Sequence, residues 1–251
     1  MTTPRCVLGL CLAGLGSRFT NAGYTTPKFL LPMRDGKTPI LREIILSFSG
    51  IENALLVMVF NNRLEDWKPQ IEAAIEHLPC PTLVSFISDT KGQAETAFVI
   101  TETVRTQAPD AITLPILFHN GDTVLYGRDL NDCATQLAKH AGLIDSFAMN
   151  SPAYSYVKTD ANNIVTEMYE KVVISDRATT GLYGFKDLET YNTSYQKAAE
   201  DWQKEFYISD VYRAMLEAQA PILNIHHADA DKTLNLGTPT EYEAYLNAKA
   251  A

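Results

Sequence analysis

A chain of 251 residues that is 46% hydrophobic and 20% charged can bury a sizeable core, and α/β folds of this length are often one domain. The formal net charge of −9 argues against a general nucleic-acid surface, which is normally basic. An acidic protein that binds phosphates must instead gather its cations locally or recruit a metal.

Cys6–Leu12 is an apolar run of strand length, suited to a strand buried on both faces. With Arg5 ahead of it, the run imitates the core of a signal peptide, but no small-x-small cleavage site follows. No other stretch approaches the about 18 apolar residues that a membrane helix needs. Cys6, Cys11, Cys80 and Cys133 form no Cys-x-x-Cys pair and read as thiols of a reducing compartment. The expectation is a cytoplasmic protein with no membrane and no nucleic-acid partner.

The strand leads into Leu12-Ala13-Gly14-Leu15-Gly16-Ser17-Arg18 and then Thr26-Pro27-Lys28. Gly14 and Gly16 allow main-chain N–H groups to approach a ligand closely, and consecutive N–H groups form a nest for anions, above all phosphate. Arg18 and Lys28 add full positive charges, and Pro27 restricts the backbone ahead of Lys28. Glycines and cations together point to a polyphosphate site. A P-loop is excluded, because no Gly-x-x-x-x-Gly-Lys-Ser/Thr string occurs. The dinucleotide fingerprint Gly-x-Gly-x-x-Gly starts at Gly14 and fails at Phe19.

Further along, Pro39 opens a helix whose Ile40, Ile44, Ile45 and Phe48 share a face. A strand over Ala54–Phe60, a helix over Leu64–Leu78 and a strand over Thr82–Ile87 follow. Gly92-Gln93-Ala94 then enters a helix that runs to about Gln107. Ile112–His119 is the next strand, with Asn120-Gly121-Asp122-Thr123 at its carboxyl end, where ligands collect in open α/β sheets. The alternation of strand and helix predicts a mainly parallel, doubly wound sheet.

After a helix near Leu130–Ala141 strands crowd together, at Asp145–Met149, Ser155–Lys158 and Ile164–Tyr169. Glu170-Lys171 and Thr179-Thr180-Gly181-Leu182-Tyr183-Gly184-Phe185 come next, then helices over Asp187–Trp202 and Ile208–Gln219. A strand over Pro221–Ala228, the string Asn235-Leu236-Gly237-Thr238-Pro239 and a closing helix from Glu241 complete the chain. His226-His227 and His119 read as structural histidines, since adjacent strand residues face opposite sides.

The ordered series resembles the sugar-phosphate nucleotidyltransferases (nucleoside-diphosphate-sugar pyrophosphorylases) over nearly the whole chain. Their signature is a strand, Leu-Ala-Gly-Gly-x-Gly-Ser/Thr-Arg and a later Pro-Lys; here Leu15 stands directly after Gly14, where the second glycine belongs. The Gly-small motif at Gly92, Gly-Asp, Glu-Lys, Thr-Gly-x-Tyr-x-Phe and Gly-Thr-Pro follow in the family's order. The resemblance implies a GT-A-like fold, with a Rossmann-like, mostly parallel mixed sheet flanked by helices. It also implies one nucleotidyltransferase domain, with a nucleotide half over about residues 1–128 and an acceptor half over about 129–251.

The family reaction moves a nucleoside monophosphate from a nucleoside triphosphate to a phosphorylated acceptor, a sugar 1-phosphate above all, and releases pyrophosphate. By the same resemblance Leu12, Ala13, Gly14, Gly16, Ser17, Gly92 and Gln93 bind nucleotide, and Arg18, Lys28 and Asp122 are catalytic. Glu170, Lys171, Gly181 and Tyr183 meet the acceptor, while Asp122 and Asn235 hold Mg²⁺. Asn235 departs from the family, which often has aspartate there; Asp229 or Asp231 are alternative ligands, or the metal rests on Asp122 and the nucleotide phosphates alone. A non-sugar acceptor such as phosphocholine or a phosphonate keeps the same reaction. A GT-A glycosyltransferase would carry Asp-x-Asp, whereas Thr123 and Val124 follow Asp122. A catalytically silent nucleotide sensor would not need Arg18, Lys28, Asp122 and Lys171 together. Homo-oligomerisation stays open.

Overall fold

A computed structural model describes residues 3–200 and 205–248. In chain order the strands are β1 (Cys6–Leu12), β2 (Phe48–Ser49), β3 (Ala54–Asn61), β4 (Thr82–Ile87), β5 (Ile116–Asn120), β6 (Thr123–Leu125) and β7 (Arg128–Asp129). They continue with β8 (Gly142–Ala148), β9 (Tyr156–Thr159), β10 (Val165–Tyr169), β11 (Arg177–Phe185), β12 (Ile222–His227) and β13 (Thr233–Asn235). The helices are α1 (Ser17–Asn21), α2 (Ile40–Leu46), α3 (Lys68–Ile75), α4 (Gln93–Gln107), α5 (Leu130–Leu137), α6 (Leu188–Ala199), α7 (Ile208–Glu217) and α8 (Pro239–Asn247).

The main sheet runs β10-β9-β11-β5-β1-β3-β4, with β8 pairing β11 and β12. β1 pairs in parallel with β3 on one side and β5 on the other, and β3 pairs in parallel with β4. β11 joins antiparallel to β5, so the sheet is mixed as expected. Side chains of β1 alternate between two cores. Leu8 and Leu10 pack with Ile44 of α2, Ile71 of α3 and Leu137 of α5, while Val7 packs with Ile100 of α4 and Tyr212 of α7. Helices thus cover both faces, and each fully buried aliphatic side chain contributes about 1.5–3 kcal/mol.

Prolines explain two shifted boundaries. The helix expected from Leu64 is a 3₁₀ turn over Asn62–Trp67, and the α-helix proper starts at Lys68, where Pro69 fits an N-terminal turn but not a helix interior. The strand expected from Ile112 begins only at Ile116, because Pro115 has no N–H to give to the ladder. Phe48, expected on the face of the second helix, lies instead in β2. The helix expected to Trp202 is α6 through Ala199, and residues 201–204 lie outside the described residues.

A buried charge ties the carboxyl-terminal strap to the sheet. Arg128 is 2% exposed, and its guanidinium donates to Asp145 Oδ1 (3.2 and 3.3 Å), Thr233 Oγ1 (2.9 Å) and the carbonyls of Tyr126 and Lys232 (3.0 and 3.1 Å). Thr180 Oγ1 donates to Asp145 Oδ1 (2.8 Å), and His227 Nε2 lies 2.8 Å from Oδ2. β13 is thereby held against β6, with Asn235 opposite Thr123. Removing one partner leaves the other charge uncompensated in the core. Asp145→Ala is therefore expected to destabilise the fold by about 3–5 kcal/mol, read as a shift of the urea unfolding midpoint.

Candidate active site

The strand order reverses between β1 and β5: the chain moves from β1 to β3 and β4 on one side, then returns to place β5 on the other. Ligands of open α/β sheets bind outside the carboxyl ends of strands at such a point. Here the loop after β1 and the turn after β5 emerge side by side, since Cys11 pairs with Asn120. They form one wall of a cleft of about 690 Å³.

In the first loop Gly16 adopts φ 63°, a left-handed conformation that favours glycine. A β-carbon on Gly14 or Gly16 would meet nothing within 4 Å, so the space above the loop is open for a ligand. Among the described residues, none accepts a hydrogen bond from the N–H groups of Gly14, Leu15 or Gly16. Gly14 and Leu15 are exposed and Gly16 is half-buried, so these N–H groups are accessible, and consecutive accessible N–H groups of a glycine loop suit an anion. Arg18, in the first turn of α1, lines the same space, as does Leu12. Ala13 and Ser17 do not line it: Ala13 is buried, its carbonyl accepting from Asn61 Nδ2 (3.4 Å), and Ser17 is exposed, its carbonyl accepting from Thr20 Oγ1 (3.1 Å).

Lys28 opens a 3₁₀ turn after Pro27, anchored by the buried Phe29 against Phe60 (ring centroids 5.3 Å apart). Its ammonium donates to Asp122 Oδ2 at 2.7 Å, with both side chains about three-quarters buried. Burial pushes the Asp122 carboxyl up, but Lys28, through charge and hydrogen bond, outweighs it and holds the group below its ordinary value. The Asp122 turn fits against β1 because Gly121 has no side chain; a β-carbon there would lie 2.1 Å from Leu12 Cδ2.

Gln93 reaches the cleft and donates from Nε2 to Asn120 Oδ1. Gly92 does not face the cleft as expected for close approach to a ligand. Its φ is 147°, and the place of its β-carbon is 2.4 Å from the Phe206 carbonyl oxygen. Ala94 N–H donates to that same oxygen (3.0 Å), so Gly92 lets the segment before α7 dock on this loop. Gly181 likewise makes room: at φ 86°, its missing β-carbon would lie 2.4 Å from Asn120 Nδ2. His119 is fully buried, its ring nitrogens on the carbonyls of Thr123 (2.7 Å) and Gly181 (3.2 Å).

The far wall carries the acceptor candidates. Glu170 accepts from Ser209 Oγ (2.9 Å) and from Ser155 Oγ. Lys171, at φ 57°, donates to Tyr207 Oη (3.1 Å) and lies 4.8 Å from the centre of that ring. Tyr183 is buried with its hydroxyl 3.0 Å from Thr179 Oγ1. Sequence reading missed Asn120, Tyr154, Ser155, Tyr207, Ser209 and Glu241, all of which line the cleft. Asn120 stands in the quoted string ahead of Asp122 without a role assigned to it, the others belong to no quoted motif, and only the folded chain brings them to the cleft.

For a metal, Asp122 is the carboxylate on the nucleotide side. Asn235 sits beside it on β13, but its Oδ1 accepts from Thr123 Oγ1 (3.2 Å). Asp229 and Asp231 lie on the exposed turn before β13, and neither lines the cleft. Among the described residues no group of three or more His, Cys, Asp and Glu side chains could hold a metal by itself. The donor set suits a Mg²⁺ ion, which takes one or two carboxylates and completes its shell with phosphates and water.

The nucleotidyl transferase family profile matches residues 9–245. The chain belongs to that family. This membership makes it a nucleotidyltransferase and decides against the glycosyltransferase alternative. Among solved structures, a nucleoside-diphosphate-sugar pyrophosphorylase from Vibrio cholerae RC9 is 22% identical, covers 96% of this chain and 100% of its own, and has a TM-score of 0.79. A Bacillus anthracis protein described as a glucose-1-phosphate thymidylyltransferase, in complex with sucrose, is 13% identical (98% and 97% covered, TM-score 0.73). The inositol-1-phosphate CTP transferase of T. maritima is 14% identical (97% and 94% covered, TM-score 0.68). At these identities the likeness concerns the fold. A search of curated protein sequences finds no match. Among the described residues, no helix of this nucleotidyltransferase is long and apolar enough to cross a membrane.

Two expectations follow from the geometry. Gly181→Ala forces a left-handed alanine into the Asn120 amide, and should lower stability by about 2 kcal/mol or more on thermal unfolding. The depressed Asp122 carboxyl keeps its charge, and the stability from Lys28, at every pH above the ordinary aspartate value of about 3.9. Both are lost only as pH falls through the lower folded-state value. Titration of Asp122 by carboxyl-carbon NMR should therefore show its midpoint below that of exposed aspartates, and Lys28→Met should move it upward.

Proposed function

We propose that this cleft joins a nucleoside monophosphate, taken from a triphosphate, to a phosphorylated small molecule, a sugar 1-phosphate in the first instance. Residues 1–128 would bind the nucleotide and 129–251 the acceptor. The observation that carries the reading is the Lys28–Asp122 pair set beside the open Gly14–Gly16 loop, facing Glu170 and Lys171 across one cleft.

An acceptor phosphate oxygen attacks the α-phosphorus, forming a new P–O bond while the bond to the β-phosphate oxygen breaks and pyrophosphate leaves. A phosphate monoester has its second ionisation near about 6, so at neutral pH it is already a dianion and needs no general base. The obstacle is the meeting of two anions, and the protein answers it by positioning and neutralising. The free N–H groups at Gly14–Gly16 and the Arg18 guanidinium would hold the departing β- and γ-phosphates. Lys28 would turn from Asp122 to the α-phosphate and counter the charge that builds there. Asp122 would hold Mg²⁺, which when bound neutralises phosphate charge and orients the leaving group. Lys171 would take the acceptor phosphate. Glu170, held by two serine hydroxyls, would accept from acceptor hydroxyls, which favours a polyhydroxylated acceptor. The activated product would then feed glycan or capsule assembly.

The decisive measurement is pyrophosphate release with CTP, UTP, dTTP, GTP or ATP against a panel of sugar, cyclitol and small-alcohol phosphates. One pair is expected to turn over. Lys28→Ala and Asp122→Ala should each cut kcat at least about 10²- to 10³-fold without loss of the folded circular dichroism spectrum. Undiminished turnover in either would break the assignment. Turnover by the native protein should fall as pH drops below about 6, where the acceptor gains a proton.

A further inference from the structure

With residue 235 an asparagine, Asp122 has no second carboxylate beside it on β13, and the fold brings one from α8. The point where a β-carbon of Gly237 would stand is 3.2 Å from Asp122 Oδ2 and 3.6 Å from Glu241 Oε2. Two carboxylates therefore border one small space that exists because residue 237 has no side chain. Lys28 already places an ammonium on the Asp122 oxygen bordering that space, so positive charge is stabilised there.

We propose that Glu241 is the second carboxylate ligand of the divalent cation in this protein, taking the place that residue 235 gives up. The inference rests on the nucleotidyltransferase reading of the cleft. Asn235 has its amide oxygen engaged by Thr123 Oγ1, and Asp229 and Asp231 stay outside the cleft, as described above. Glu241 lines the cleft, and its Oε2 is oriented by Thr238 Oγ1 at 2.8 Å. That same Oε2 borders the Gly237 space, and a carboxylate oxygen that accepts one hydrogen bond keeps a lone pair for an ion. The Leu236 N–H donates to the Asp122 carbonyl at 2.7 Å, which locks the start of the Gly-Thr-Pro turn to the Asp122 turn and fixes how α8 presents Glu241. A metal held by two carboxylates and completed by triphosphate oxygens and water lies within the range of arrangements Mg²⁺ takes.

The competing role for Glu241 is structural, as the third helical residue of a Thr-x-x-Glu capping box. Glutamine fills that role equally well, so Glu241→Gln separates the two. Mn²⁺ binding is read, with each of the five triphosphates present in turn, from the enhancement of water-proton relaxation on adding protein, over that of the Mn²⁺–triphosphate complex alone. Glu241→Gln should weaken protein-bound Mn²⁺ about tenfold or more while its melting temperature stays at the native value. Adding Asn235→Asp to that variant should restore binding. Native-like Mn²⁺ affinity in Glu241→Gln, beside a loss in Asp122→Asn, would overturn the role of Glu241 and leave the cleft reading standing. Failure of the native protein to bind Mn²⁺ with any triphosphate would overturn the reading itself. A fall in melting temperature with failure of Asn235→Asp to restore binding would assign Glu241 to the cap alone.

Discussion

Parallel pairing of Cys6–Leu12 with Ile116–Asn120 places two loops at the same edge of the sheet, more than a hundred residues apart in sequence. One loop offers N–H groups and cations, and the other offers a carboxylate. Lys28 spans the gap and donates to Asp122 at 2.7 Å. Without that register the glycine loop would be an ordinary turn and the aspartate a surface charge. Each local feature of the cleft depends on this long-range contact, and a slip of one residue would turn every side chain of β1 to the wrong core.

Several glycines serve the contact rather than a ligand. Gly121 admits Leu12, Gly181 admits the Asn120 amide, and Gly92 admits the Phe206 backbone. Gly14, Gly16 and, in its own way, Gly237 leave space instead. The same residue type thus closes the scaffold at three positions and leaves the cleft uncrowded at three others. The buried Arg128–Asp145 pair plays a related part from below, since it pins the strap that carries Asn235 and leads to Glu241. Burying such a pair is rarely stabilising in itself. Its use here is to hold one arrangement of the strap against the sheet.

The acidic balance of the chain also takes on meaning in the cleft. Cations are few, and Arg18, Lys28 and Lys171 are gathered where phosphate groups would meet. In the free protein Lys28 and Lys171 are occupied by Asp122 and Tyr207, so each has a resting partner that a phosphate would replace. Such exchange keeps the charges solvated or paired at every stage and avoids leaving an isolated charge in a partly buried space.

Much was legible in the linear chain. Periodic apolar runs marked the strands and most helices, because burial on a pleated sheet or along one helix face leaves its period in the sequence. The glycine loop, Arg18, Lys28, Asp122, Glu170 and Lys171 stood out because short motifs carry their chemistry in adjacent residues. Pro69 and Pro115 moved two boundaries that periodicity alone misplaced. What stayed hidden was whatever depends on contact between distant segments. Gly92 looked like a ligand-facing glycine until the chain near Phe206 was seen to occupy its free side. Glu241 looked like the first residue of a closing helix, and only the turn through Gly237 brings its carboxylate beside Asp122. Residue type and local spacing determined which chemistry this chain can hold; the packing of strand ends and helix starts decided which of those groups share one space, because distance in a folded chain is set by the sheet register and not by position along the sequence.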